Sequence, residues 1–223
     1  MSARTVLVAL VGLLTALLAG VLLGRALPTA PGGQSVDVGF AHDMSTHHQQ
    51  AVAMAFDAVQ RAPSAEVRQL AVDISSTQTN QVGRMQQLLL VWGQPLTSSA
   101  PVMAWMTGTD THARHLEQLE EGRTMPGMAT AAELAELGEL EGAEYEVRFL
   151  QLVLRHHRGG LEMAQVGAER ATTEQVRRLA GAIATSQAGE SQLLERYLAE
   201  RGAQPLPDPV TDPAAEPAAG GAG

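Results

Sequence analysis

Two stretches of this 223-residue chain carry side chains that could do chemistry together. Phe40 to Ala55 reads FAHDMSTHHQQAVAMA, and Phe149 to Ala164 reads FLQLVLRHHRGGLEMA. Each holds an adjacent histidine pair, His47-His48 and His156-His157. A methionine follows the first histidine of each pair by seven positions, Met54 and Met163, and Met44 precedes the first pair by three. Imidazole nitrogen and thioether sulfur, without thiolate or carboxylate, suit a soft ion and favour Cu(I). Zinc more often recruits cysteine or a carboxylate. Di-iron carboxylate chemistry needs Glu-x-x-His on two helices, but the residues three before His47 and His156 are Met44 and Val153. The sequence has no His-Glu-x-x-His, no Gly-x-Ser-x-Gly and no phosphate-cradling glycine loop. No nucleophile–base pair can be picked out, so the chain reads as a binding protein rather than an enzyme.

Helical phasing tells where these groups point. At about 100° per residue, Phe40, Met44, His47, Ala51, Met54, Ala55 and Ala58 share one stripe, with His48 at its edge. Phe149, Val153, His156, Gly160, Met163 and Ala164 form the matching stripe, with His157 at its flank. Gln78 lies in the apolar stripe of the next helix, and Gln187 in that of its repeat. Burying an unpaired polar group costs about 1–3 kcal/mol, so these side chains need partners. In one reading the histidines, with Met44, Met54 and Met163, converge on a metal, and Gln78 and Gln187 orient the rings from behind. In the other, each histidine bonds a glutamine or a backbone carbonyl, the pairs fix helix register, and Met54, Met85 and Met163 are core filler.

The elements that position these groups come in two copies. Phe40, His47, His48, Met54 and Ala55 recur 109 positions later, as do Val67, Leu70, Ile74, Gln78 and Gly93. Each copy predicts a helical hairpin, residues 35–93 and 142–202. A hairpin alone cannot bury its apolar stripe, and packing two gives an all-α four-helix bundle. Expected caps are Ser35 or Asp37, Ser64, and Thr172 or Thr173, with a capping box at Thr130-Ala-Ala-Glu133. The connection 94–141 carries further soft donors: Met103, Met106, His112, His115, Met125 and Met128. These are an accessory copper-capture set or, equally, a hydrophobic cap on the bundle. A short helix is expected around His112 to Glu121, and its glutamates read as a solvated surface.

Val6 to Leu23 is an apolar run of 18 residues between Arg4 and Arg25. That is long for a cleaved signal and long enough for a membrane-spanning helix. Residues 1–34 therefore read as a signal anchor and linker, with the rest of the chain outside the cytoplasm, or secreted if the anchor is cleaved. Residues 203–223, rich in Pro, Ala and Gly, read as a disordered tail.

Aromatics make up 3% of the chain, which favours packed helices over sheets. The net charge of −9 gives no basic stripe for nucleic acid. There is no cysteine, so disulfides, thiolate metal sites and cysteine catalysis are excluded. The partners this pattern admits are a metal ion, the membrane and a further copy of the chain. His157-Arg158-Gly159-Gly160 also prompts a histidine phosphotransfer reading, but export would separate that histidine from ATP and kinases.

Asp37-x-x-Phe40, Met44, His47-His48-Gln49, Ala51 and Met54-Ala55 resemble the bacterial DUF305 family (domain of unknown function 305). So do Gln78-x-x-Gln81 with Met85, the Met125-Pro-Gly-Met128 loop, and Phe149-Leu150 through His156-His157 to Met163-Ala164. The resemblance covers Asp37 to about Arg201. It implies a ferritin-like four-helix bundle, export, and the copper binding that some members of the family show. Val153 stands where the family carries methionine, Gln81 where it carries an acid that Glu190 keeps, and Thr46 and Arg155 where it often carries proline. The first copy is thus the better furnished with sulfur.

Overall fold

The computed structural model describes residues 2–26, 29–109 and 125–206. His112, His115, the short helix expected there and the tail from residue 207 lie outside the described residues. Helix α1 (Ala3–Ala26) belongs to a compact unit of its own that ends at residue 30. Its stretch Ala3–Gly20 has mean hydropathy 2.0, buries no side chain in protein, and is long and apolar enough to cross a membrane.

The second unit is helical throughout its described regular structure. Helices α2 (Val36–Arg61) and α3 (Ala65–Val91) form one hairpin; α5 (Gly142–Arg170) and α6 (Glu174–Glu200) form the other. The hairpins meet mainly through α2 and α5. This is the all-α four-helix bundle that the duplicated pattern predicts. Between the hairpins lie a 3-10 turn (Ala104–Met106) and the short helix α4 (Ala131–Glu139).

Local chemistry sets the helix ends. The Ser35 hydroxyl accepts from the Val38 amide at the start of α2, and Thr173 accepts from Val176 at the start of α6. Thr130 and Glu133 form the capping box of α4. Gly93 (φ 67°) and Gly202 (φ 65°) supply the left-handed residue that stops α3 and α6. The next amide then returns to the last turn, Gln94 N to Leu89 O at 2.8 Å and Ala203 N to Leu198 O at 2.9 Å.

Ser64 departs from the expectation. Its hydroxyl makes no cap bond to α3 but donates to Glu146 Oε2 at 2.5 Å, and its amide donates to the same oxygen at 3.0 Å. Asp37, the repeat mate of Glu146, accepts from the amides and hydroxyls of Thr172 and Thr173 at 2.6–2.9 Å. Each hairpin's first helix thus carries a carboxylate that caps the second helix of the other hairpin. This relation crosses between the repeats, so one hairpin's periodicity does not contain it.

The core has two apolar halves. One gathers Phe40, Met44, Met85, Leu89, Met103, Trp105, Met106, Met125, Met128, Met163 and Ile183. The other is aliphatic and aromatic, with Ala51, Met54, Leu70, Ile74, Tyr145, Phe149, Leu152, Val153 and Leu194. Along all four long helices a polar layer separates the halves: His47-His48, Gln78 and Gln81, His156-His157, and Gln187 and Glu190. Small residues let α2 and α5 approach. A Cβ on Gly167 would come within 2.6 Å of the Phe40 ring, and one on Gly160 within 2.9 Å of His47 Cε1.

Candidate metal centre

All four histidines of the layer are fully buried. His48 and His157, at the flanks of their stripes, are as deeply buried as the two central rings. The reason lies on the neighbouring helices. Gln81 of α3 closes over His48, and Glu190 of α6 closes over His157. Phasing within one helix cannot see this cover.

Each ring uses Nε2 as its donor. His47 donates to the Pro126 carbonyl at 3.0 Å, and His156 to the His47 carbonyl at 2.9 Å. His48 donates to Gln81 Oε1 at 2.8 Å, and His157 to Glu190 Oε2 at 2.6 Å. A backbone carbonyl or carboxylate only accepts, so in neutral His47, His156 and His157 the proton lies on Nε2 and Nδ1 keeps a bare lone pair. The Gln81 amide, with its oxygen towards His48, gives that ring the same form. All four Nδ1 atoms are buried with no hydrogen-bond partner. The central rings, His47 and His156, have centroids 3.8 Å apart and planes inclined by 38°. The outer rings lie 6.2–6.3 Å from their neighbours in sequence.

Burial favours the neutral, ligating form of His47, His48 and His156. Desolvation lowers His47 to about 4, although its bond to Pro126 pulls the other way. Desolvation and then the His47 ring lower His48 to about 3. His156 is pushed well below the ordinary histidine value, first by burial and then by the other three rings. At these three rings a second proton is thus disfavoured, and Nδ1 keeps its lone pair.

Gln78 and Gln187 are also in the layer, each 1% exposed, and neither amide group hydrogen-bonds anything. The ring partners are instead Gln81, Glu190 and two backbone carbonyls. One signal in the sequence points to them: Gln81 follows His48 by 33 positions, and Glu190 follows His157 by the same spacing. The Pro126 carbonyl has no such signal, because it arrives from a distant loop. The loop is locked onto α2 and α5. Gln50 makes two bonds to Ala129, at 2.9 and 2.8 Å, and Arg155 forms a fork with Glu133, both arms at 2.7 Å. A Cβ on Gly159 would collide with the Pro126 carbonyl.

The sulfurs fall on both sides of the layer. Met44 and Met163 lie in the methionine-rich half, and Met54 in the aliphatic half. Met103, Met106, Met125 and Met128 are buried in the same half as Met44, so they cap the bundle from inside rather than standing in solvent. Asp43 holds that segment, accepting from the Met103 amide at 2.8 Å and Trp105 Nε1 at 2.9 Å.

Among the described residues, no group of three or more His, Asp, Glu or Cys side chains is arranged to hold a metal ion. The layer's unpartnered nitrogens are imidazole Nδ1 atoms, and buried methionines lie in the core halves on either side of it. That set fits a soft, low-coordinate cation better than Mg2+, Ca2+ or a thiolate-bound zinc. His47, His48, His156 and His157 would supply nitrogen, and Met44 and Met163 on one side, or Met54 on the other, would supply sulfur.

Known proteins place the fold. A DUF305 protein of Streptomyces coelicolor is 45% identical, with TM-score 0.69, covering 79% of this chain and 99% of its own. A DUF305 fragment from Deinococcus radiodurans is 32% identical, with TM-score 0.61, covering 78% and 99%. CopM in its Cu(I)-bound form is 21% identical, with TM-score 0.56, covering 74% and 96%; at that identity the likeness is one of fold. No curated protein matches the sequence. The profile of the domain of unknown function DUF305 matches residues 37–198, and the chain belongs to that family.

Proposed function

We propose that this protein binds Cu(I) in the polar layer of its bundle, outside the cytoplasm and tethered by α1, and that it buffers the ion or passes it on. The observation that carries this reading is the set of four buried Nδ1 lone pairs with no partner. Buried polar atoms are almost always satisfied. Four such atoms in one layer, with two glutamine amides beside them, support the reading of a bound cation there. A soft cation meets neutral imidazole and thioether without the charge that a harder ion needs. The shared fold with CopM, whose structures include Cu(I)-, Cu(II)- and Ag-bound forms, supports the reading by analogy.

The test is Cu(I) titration of the full-length protein in detergent against a chromogenic Cu(I) chelator, with elemental analysis. Wild type is expected to compete for the ion, and His47→Ala/His48→Ala to compete less. Unchanged competition by that variant would remove the first pair from the site.

A second reading has its own observation. Every ring already makes one hydrogen bond, so the layer would also serve as a register lock in a metal-free structural or interaction bundle. That reading expects no change in melting temperature on adding Cu(I), together with a large loss of stability in His47→Ala and His156→Ala.

A further inference from the structure

The two copies of the histidine pair are held by chemically different partners. His48 is held by the neutral amide of Gln81, and His157 by the carboxylate of Glu190, at equivalent positions of the repeat. The difference matters for the tautomer. A carboxylate can only accept, so Glu190 permits only the form of the neutral ring with hydrogen on Nε2 and a lone pair on Nδ1. A primary amide can turn over and donate instead, so Gln81 accommodates either tautomer of His48. Glu190 is itself oriented, because the Ser186 hydroxyl lies 3.0 Å from its other oxygen. The His157–Glu190 contact of 2.6 Å is also the shorter of the two, as a charge-assisted bond should be.

We infer that Glu190 is a positioning residue for the metal: it locks His157 with Nδ1 as a donor and raises its donor strength, making the second pair the primary nitrogen anchor. This rests on the proposed Cu(I) reading and adds an order to it. A carboxylate behind a ligating imidazole increases the electron density of the ring and fixes its orientation. Its negative charge also offsets that of a cation entering a layer of neutral donors. The first copy of the repeat carries Met44 and Met54 against Met163 in the second, but lacks this device. The repeat is therefore divided, with nitrogen strength in the second copy and Met44 in the first.

The experiment uses the full-length protein in detergent. Cu(I) affinity by chelator competition is measured for wild type, Glu190→Gln, Gln81→Glu and the swapped double variant. Melting temperature without metal serves as the folding control. Glu190→Gln is expected to lose about 10–100-fold in affinity. Gln81→Glu in that background should recover most of the loss, because the carboxylate is restored behind the other pair. Nitrogen–proton NMR of the metal-free protein supplies a readout that binding does not enter: His157 should show a single Nε2–H tautomer that becomes mixed in Glu190→Gln. Wild-type binding with Glu190→Gln within twofold of it would overturn the inference and leave the Cu(I) reading standing. Absence of Cu(I) binding by wild type would overturn both. A mixed tautomer at His157 in wild type would overturn the locking role whatever the affinities.

Discussion

His156 donates its Nε2 proton to the backbone carbonyl of His47, and the two rings lie 3.8 Å apart at the centre of the bundle. One histidine's main chain thus orients its repeat mate, while its own ring is oriented by Pro126 on a separate loop. The two hairpins are joined through their most unusual residues.

Contact of this kind predicts coupling. His47→Ala and His156→Ala should each destabilise the metal-free protein, and their double variant should depart from additivity by about 0.5–3 kcal/mol. Urea unfolding of the four proteins in a double-mutant cycle measures this. Additive losses would mean that the rings act independently.

The neutral rings predict acid sensitivity. An unfolded histidine titrates near 6.5, whereas His47 and His48 in the fold titrate at about 4 and about 3. The unfolded chain therefore binds more protons below pH 6.5, and stability falls as pH falls. Stability from these groups is complete above 6.5 and is lost towards the folded values. Metal-free protein should melt at a lower temperature at pH 5 than at pH 7.5, by circular dichroism at fixed salt. A flat or rising profile over that interval would contradict neutral buried imidazoles.

The crossed carboxylates predict two independent clasps. Asp37→Ala removes four bonds to Thr172 and Thr173, and Glu146→Ala removes the acceptor of the Ser64 amide and hydroxyl and one acceptor of Arg201. Each should cost about 1–3 kcal/mol, nearly additively, because they lie in different halves of the core. Burial pushes both carboxyls up, but hydrogen bonds from the threonines, and from Ser64 and Arg201, outweigh it and hold them below their ordinary values. Their contribution is present above the unfolded values of 3.8 and 4.5 and is lost as pH falls through the folded ones. Both variants should therefore lose less than wild type on further acidification below pH 4.

Glycines separate packing from propensity. Gly159→Ala would drive a methyl group into the Pro126 carbonyl, whereas Gly181→Ala in α6 meets nothing within 4 Å. The first should destabilise by about 1–3 kcal/mol and displace the acceptor of His47. The second should stabilise by about 0.5–1 kcal/mol through helix propensity. Thermal melts of the two variants decide this, and equal shifts would show that the loop does not sit on α5.

The duplicated pattern, read one-dimensionally, was enough for the four long helices, their pairing into hairpins and the central placement of His47 and His156. Apolar periodicity, glycine stops at 93 and 202 and an exact repeat spacing are local or translational properties, and a linear text carries them. The apolar span of α1 is equally a matter of composition. The side-chain contacts between elements, beyond that pairing, needed the tertiary structure. It alone buried His48 and His157, because Gln81 and Glu190 reach them from other helices. It drew four linker methionines into the core, where sequence left capture and capping equally open. It also placed the Pro126 carbonyl on His47, 79 residues away. The physical reason is that burial and hydrogen-bond partnership belong to pairs of surfaces, and a single helix's periodicity specifies only one of the two.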